Sequence, residues 1–336
     1  MALSDLMFSD LFVTAHGATS WFKVTPDSMK CEPVPAECQA ELADLRTFLK
    51  QESEKSQDAG FSVRWPASNG IVLRVQCIEN SPAEEIYICR RFRLPPGPLP
   101  SLGMPAGVAE KLLSADLHEG LVFFSGRSGS GKTTTAASFI VDRLTRFGGV
   151  CWTVENPKEM DLQGRHGQGW CYQTEVRGDA AIGPAIRKLM RATPNIIFIG
   201  EIRDGLAARE AIAAAMSGHL VVATFHAADL ASGLARLTRL AGEEARAALA
   251  ESLRVGVHLS LHTIEAGKPL PSTMLTAAAA KGTGTPARLL NVEPLWVGGQ
   301  SIDAIKSIVR DGDFHKLKSE IERQRRVFLN GNTGAF

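Results

Sequence analysis

The stretch that most constrains this chain runs from Leu121 to Thr135, LVFFSGRSGSGKTTT: an apolar run of strand character, a glycine-rich turn, then the first turn of a helix. Gly126, Gly131, Lys132 and Thr133 stand at the spacing G-x-x-x-x-G-K-[ST]. Such a loop suits phosphates, because Gly126, Gly129 and Gly131 permit close backbone approach and positive φ, so that successive N–H groups turn inward. The residues Gly126, Ser128, Gly129, Ser130, Gly131, Lys132, Thr133 and Thr134 therefore predict a nucleoside triphosphate site. In it Lys132 reaches the β and γ phosphates, Thr133 offers its hydroxyl to Mg²⁺, and the helix N-terminus adds partial positive charge.

At 336 residues the chain exceeds the size at which one core usually stops growing, so two domains are expected. Its 37 basic and 36 acidic residues give no global electrostatic case for nucleic acid or an anionic membrane. No stripe of aromatic and basic residues stands out either, so direct nucleic-acid binding is not expected. The six cysteines form no C-x-x-C pair and no cluster with histidine at zinc spacing, which reads as reduced thiols. The N-terminus MALSDLMFSD has no basic flank and does not read as a secretory signal. Apolar runs such as Leu121 to Phe124, Ile196 to Ile199 and Ala277 to Ala280 fall far short of the roughly 20 residues that cross a bilayer. A cytoplasmic protein is expected, reaching a membrane only through partners.

Taken in order, Asp10 to Val24 predicts two short strands around a turn at His16 and Gly17. From Pro35 to Ala59, Leu42, Leu45 and Leu49 recur at helical spacing. FSVRWPA, GIVLRVQCIE and EEIYICRRFR then read as three strands separated by N-G and S-P turns. Residues 1–93 thus form an α+β domain. Leu94 to Pro105 holds five prolines in twelve residues, too many for a helix or central strand, and reads as an extended, semi-rigid linker. From residue 106 to 336 strands and helices alternate, which implies a mostly parallel sheet covered by helices. A glycine-rich loop is expected from Leu162 to Trp170, one helical stretch from about Leu230 to Leu253, a short hairpin near His258 to Met274, and a loop at Gly282 to Thr285. Two charged amphipathic helices are expected between Ser301 and Leu329.

In a parallel α/β sheet, ligands sit off the carboxyl ends of the strands. Predicted strands here end in the phosphate loop, Glu155, Glu201 and His226. Hydrolysis of a phosphoanhydride needs a cation, a group that holds it and a group that activates water. Glu201, after the apolar run NIIFIG, suits the cation or the polarisation of the nucleophile, and Glu155 suits a general base. Spacing alone does not assign which of them activates water, and a carboxylate at a strand end is also a common helix cap. His226 and His219 bracket one strand seven residues apart, which puts them on opposite faces. Position favours His226 as a sensor of the γ-phosphate.

GRSGSGKTT (126–134), TVENPKE (153–159), PNIIFIGEIRD (194–204) and SGHLVVATFHAAD (217–229) occur in the order of the Walker A, aspartate, Walker B and histidine boxes. In this the chain resembles the secretion-superfamily ATPases, hexameric motors of type IV pili and of type II and type IV secretion. FRLPPGPLPSLGMP is similar to their proline-rich linker, and residues 1–93 to their PAS-like domain. The missing cysteine set and Gly218-His219-Leu220 look most like the PilT group, which includes the DotB and TraJ kind of type IVB secretion and conjugation. The tail NVEPLWVGGQSIDAIKSIVRDGDFHKL departs from the retraction motors.

The resemblance implies a RecA-like ATPase domain that uses ATP and Mg²⁺. It makes Glu155 the catalytic glutamate, Glu201 the Walker B glutamate, and His219 and His226 the histidine-box pair. Arg93 and Arg74 become candidates for arginines inserted toward a neighbour's nucleotide. It also implies a homo-hexamer on inner-membrane platform or secretion-channel proteins. The expected function is to power a type IV secretion or conjugation apparatus or a thin pilus. The alternatives are a pilus retraction motor and a nucleic-acid translocating ATPase. Asn156 stands where the family usually has aspartate, and Arg127 where it commonly has proline.

Overall fold

Short segments in which apolar and polar residues alternate build the first of two units into which the chain divides, Met1–Leu94 and Pro95–Phe336. The computed structural model describes residues 3–14, 20–24, 28–56, 60–66, 71–79, 84–92, 96–264 and 287–329. In the first unit these segments are β1 (Asp10–Thr14), β2 (Trp21–Lys23), β3 (Glu32–Pro33), helix α1 (Gln39–Lys55), β4 (Gly60–Arg64), β5 (Val72–Glu79) and β6 (Glu85–Arg91). They form an antiparallel sheet in the order β3-β2-β1-β6-β5-β4. Leu11, Val13, Leu73, Val75, Tyr87 and Cys89 share its core with Leu42, Leu45 and Leu49 of α1, so the helical spacing read from the sequence is the spacing that covers the sheet. The turns expected at His16–Gly17, Asn69–Gly70 and Ser81–Pro82 lie outside the described residues.

The proline-rich stretch, from residue 96 on, is bound to the second unit. Ser138 Oγ donates to the Gly97 carbonyl at 2.7 Å, and Asp142 Oδ2 accepts the Leu99 N–H at 2.9 Å. Leu99 is fully buried within a 3₁₀ turn, Leu99–Leu102, where an extended segment was expected.

The second unit contains α2 (Ala106–Leu112), β7 (Gly120–Gly126), α3 (Lys132–Phe147), β8 (Gly149–Glu155), β9 (Gly164–His166), β10 (Gly169–Glu175), α4 (Ile182–Leu189), β11 (Ile196–Ile199), α5 (Gly205–Met216), β12 (Leu220–His226), α6 (Leu230–Ala241), α7 (Arg246–Ser252), β13 (Leu253–Ile264), β14 (Ala287–Trp296), α8 (Ile302–Asp311) and α9 (Leu317–Leu329). Its sheet runs β14-β13-β7-β12-β11-β8-β10-β9. Every neighbouring pair from β13 to β10 is parallel, and the two outer strands are antiparallel. The mixed, mostly parallel α/β class expected from the alternation of elements is the one found. Strands this apolar need cover on both faces. Leu121, Phe123, Val154, Ile197 and Phe225 meet α4 to α7 on one side, while Val122, Phe124, Cys151, Phe198 and Val222 meet α2 and α3 on the other.

Three elements differ from the sequence reading. β10 falls partly within the expected glycine-rich loop. Its alternation is Cys171 inward with Trp170 and Tyr172 outward, so large aromatics occupy the exposed side and mask the period. Tyr172 stacks on Trp152 with ring centroids 4.8 Å apart, which holds this outer strand against β8. The expected single helix after Leu230 is broken by Gly242, whose φ of 99° no helix accommodates, and resumes as α7. The hairpin partner of β13 is β14, further along the chain than Met274; Met274 and the loop expected at Gly282 to Thr285 lie outside the described residues.

Phe198 sits in the centre of β11 and is fully buried against the α3 side of the sheet. Phe198→Ala is expected to lower unfolding free energy by about 3–5 kcal/mol. Urea melts check this: the midpoint falls with the slope unchanged.

Candidate active site

The parallel register sets which residues meet. In the β7–β12 pair His226 lies opposite Gly126, and in the β11 pairs Ile199 lies opposite Val154 on one side and Ala223 on the other. The phosphate loop, Glu155, Gly200-Glu201 and His226 therefore leave the sheet at one edge. Cys151, Thr153 and Glu155 alternate onto the face covered by α3, the face that the phosphate loop also joins.

Within the loop, a Cβ on Gly126 would lie 2.3 Å from Ser130 Oγ and 2.5 Å from the Leu259 carbonyl, so only glycine fits. Gly129 and Gly131 hold φ of 74° and 90°, and the space a Cβ would take is open. Lys132 Nζ donates to the Arg127 carbonyl at 3.0 Å, and burial lowers its pKa while Glu201 and Glu159 oppose the shift. Ser130 Oγ is buried without a hydrogen-bond partner. An orphaned hydroxyl, two open glycines and a lysine at a helix N-terminus fit a phosphate chain. Among the described residues no group of three or more His, Cys, Asp or Glu could hold a metal ion.

Glu155 is 1 % exposed. Its Oε1 accepts from Thr153 Oγ1 at 2.6 Å and from Gln173 Nε2 at 2.9 Å. Burial pushes its pKa up to about 7, against the pull of Thr153, Gln173, Lys158 and the Glu159 N–H. Gly200 packs closely on it: a Cβ there would stand 3.1 Å from Glu155 Cγ.

Glu201 is partly exposed, and its Oε2 accepts from Arg203 Nε at 2.9 Å and Nη2 at 2.6 Å. Arg203 also lies 3.6 Å from Asp179 Oδ1, the atom that accepts from Asn156 Nδ2 at 2.9 Å. An amide at position 156 gives Asp179 a donor where aspartate would add like charge, a physical reason for that departure from the family pattern. The side chain of Arg127 is exposed, and nothing in the structure explains why arginine stands there.

His226 is exposed beside the loop, its carbonyl held by Arg236 Nη1 at 3.0 Å. His219 is at the other end of β12, where Nδ1 meets the Pro194 carbonyl at 3.0 Å. Seven strand residues separate the two by roughly 20 Å, so His219 is not brought to the phosphate loop of its own chain. It lies instead near a cavity of about 330 Å³ at the opposite strand ends, lined by His118, Arg143, Phe147 and Asn195. Arg74 is exposed on β5 of the first unit, and Arg93 lies outside the described residues.

Two residues escaped the sequence reading. Gln173 was hidden because its strand was. His258 on β13 is buried, and its Nδ1 lies 3.0 Å from Ser125 Oγ, one residue before the loop. Burial lowers its pKa, which Glu293 and Asp229 oppose and Lys132 and Arg127 reinforce. Only its place in the register marks it, and a lone histidine in a strand carries no such signal.

A carboxyl group whose pKa rises on folding binds its proton more tightly in the native state. Native stability therefore falls as pH climbs from the unfolded value near 4.5 through about 7. Glu155→Gln keeps the acceptor for Thr153 and Gln173 and removes the charge. It is expected to raise stability by ~2–3 kcal/mol at pH 8 and to change it little at pH 5, read from urea melts.

Residues 50–266 match the family described as type II/IV secretion system protein. The chain is 36% identical over 200 residues to the type II secretion system protein HxcR of Pseudomonas aeruginosa, covering 57% of this chain and 40% of that one. It is 36% identical over 192 residues to the type IV pilus assembly ATPase TfpB of Acinetobacter baylyi, covering 55% and 31%. The chain thus spans less than half the length of these relatives. In fold it is similar to the pilus retraction motor PilT with bound ADP, at a TM-score of 0.70 and 24% identity, with 95% of this chain and 87% of that chain covered. The ATPase DotB of Legionella pneumophila gives 0.62 and 21%, with 95% and 84% covered. With the family model covering well over half of its residues, this chain belongs to the type II/IV secretion system protein family.

Proposed function

We propose that this chain hydrolyses ATP in an Mg²⁺-dependent reaction and works as a subunit of a hexameric motor. The observation that carries the reading is Glu155: a buried carboxylate with pKa near 7, at the strand edge it shares with a phosphate loop. A general base works best when its pKa lies near the working pH. In this reading the loop from Gly126 to Thr134 cradles the phosphates, Lys132 neutralises the terminal ones, and Glu155 takes a proton from water. Thr133 and Glu201 hold Mg²⁺, which when bound neutralises charge on the β and γ oxygens. His226 senses the γ-phosphate from beside Gly126. His219, far from this loop, is left for contacts other than its own nucleotide, and Arg74 and Arg93 for insertion toward a neighbouring subunit. The domains are a PAS-like unit and a RecA-like unit joined near residues 94–105.

Family membership supports an apparatus for secretion or pili, and the C-terminal sequence favours a type IV secretion or conjugation system of the type IVB kind over pilus retraction. The motor acts from the cytoplasm on inner-membrane platform or channel proteins. No helix among the described residues is long and apolar enough to cross a membrane.

Phosphate release by the native chain is expected to need both ATP and Mg²⁺. Lys132→Ala and Glu155→Gln are expected to lower turnover by about 10²–10⁴-fold, the range associated with loss of a positioned base. Glu155→Gln should keep nucleotide affinity within a few-fold of native, which Lys132→Ala should not. Turnover retained by Glu155→Gln would remove Glu155 as base. Stimulation by DNA and not by a control polyanion would move the reading to a nucleic-acid motor.

A further inference from the structure

Glu155 does not stand alone in its pocket, and the way it is held distinguishes its two oxygens. Thr153, two residues back on β8, projects onto the same face and donates its hydroxyl to Oε1 at 2.6 Å. Gln173 reaches the same oxygen from the neighbouring strand β10, at 2.9 Å. A carboxylate oxygen offers two lone pairs, so these two donors fill Oε1, and the Glu159 N–H that also reaches this carboxylate takes one lone pair of Oε2 and leaves the other open.

Both polar atoms of the Gln173 side chain are themselves fixed. Its Nε2 also donates to the Met160 carbonyl at 3.0 Å, and its Oε1 accepts the Leu162 N–H at 2.7 Å. Its backbone N–H donates to Gln163 Oε1 at 2.8 Å. One amide therefore ties the segment after Glu155 to β10 while aiming a donor at the carboxylate. Both Thr153 and Glu155 are almost fully buried, so the bond between them is shielded from water.

We propose that Thr153 and Gln173 are the positioning residues of the general base: they occupy Oε1 and leave Oε2 to accept the proton of the attacking water. This rests on the hydrolytic reading above. In the step, an O–H bond of water breaks as the bond to Oε2 forms. The electron pair released on the water oxygen makes the new bond to the γ-phosphorus. The bridging oxygen leaves with ADP and takes its electron pair with it.

The two hydrogen bonds have a second effect. Because both donors favour the ionised form, they counter the burial that pushes the pKa of Glu155 up and hold it within reach of neutral pH. The other charged and titratable groups around the site are Lys158 and Glu159 on the same segment, and Glu175 on β10, which lies 3.7 Å from Lys158. The thiols of Cys151 and Cys171 lie beneath, Glu201 lies beyond Gly200, and Lys132 faces Glu201. Neither substitution below alters any of these charges.

The test uses the full chain with Thr153→Val and Gln173→Met, both close in volume to the native side chains. At saturating ATP and Mg²⁺, the acid limb of the kcat profile is expected to move up by about one pH unit in each variant. Because the carboxylate is then free to turn away from the water, the alkaline plateau is expected to fall about tenfold, while KM for ATP should be unchanged. Thr153→Ser, which keeps the hydroxyl, should restore the native limb. A ¹³C titration of the Glu155 carboxyl, assigned by its loss in Glu155→Gln, should show the same upward shift without any turnover. A limb and a carboxyl titration that stay in place in both variants would overturn the proposal, as would a Thr153→Ser profile no different from Thr153→Val. If the native chain releases no phosphate, the hydrolytic reading fails by itself, and the carboxyl titration still decides whether the two residues tune Glu155.

Discussion

The structure of the second unit depends on parallel strands that end at the same edge. A parallel ladder fixes each strand's neighbours residue by residue, so once β7 is paired with β12, and β12 with β11, the loop after one strand must lie beside the loops after the others. The sheet is apolar on both faces and is packed between two layers of helices, whose side chains interlock with those of the strands and hold the register. Chemistry at the edge inherits that precision. Glu155 pairs with Glu175, Gly126 pairs with His226, and the Gly200 N–H donates to the Val154 carbonyl, so the ladder itself sets all three at that edge.

That dependence also explains which parts were legible in the sequence. The phosphate loop could be read because its spacing is local: glycine, lysine and threonine act within eight residues of chain. Glu155, Glu201 and His226 could be read because each follows an apolar run, and a doubly covered parallel sheet turns such runs into strand ends. Gln173 could not. It acts across the sheet, from a strand whose outward positions are Trp170 and Tyr172 in place of polar residues, so the usual alternation of apolar and polar was absent. His258 was equally hidden, since its partner Ser125 is far away in sequence and the register of β13 on β7 is what joins them. His219 shows the converse limit. Strand parity speaks only of faces, whereas the separation from His226 that the structure shows runs along β12, from one edge of the sheet to the other.

The proline-rich stretch carries a related lesson about boundaries. Proline content excludes helix and central strand, which is a statement about what the segment cannot be. It does not say what the segment is bound to. Ser138 and Asp142, both on α3, take up the backbone of Gly97 and Leu99, and Leu99 fills a place in the core below. A segment read as a spacer is thereby made continuous, from Gly97 onward, with the helix that begins at Lys132. Any movement of this stretch would be felt at the helix that carries the phosphate loop.

The acidic groups of the edge are treated in two opposite ways, and the contrast follows from exposure. Glu155 is enclosed, so its charge is expensive and its pKa rises, which is the condition a proton acceptor requires. Glu201 is partly exposed and already charge-paired with Arg203, whose side chain is about half exposed and also faces Asp179. An exposed ion pair of this kind contributes on the order of 1 kcal/mol or less, because water competes for both partners. Releasing Glu201 from Arg203 is therefore cheap, and Asp179 remains beside the arginine to receive it. A carboxylate held this loosely can change partners at little cost, whereas one held as Glu155 is held keeps a single geometry.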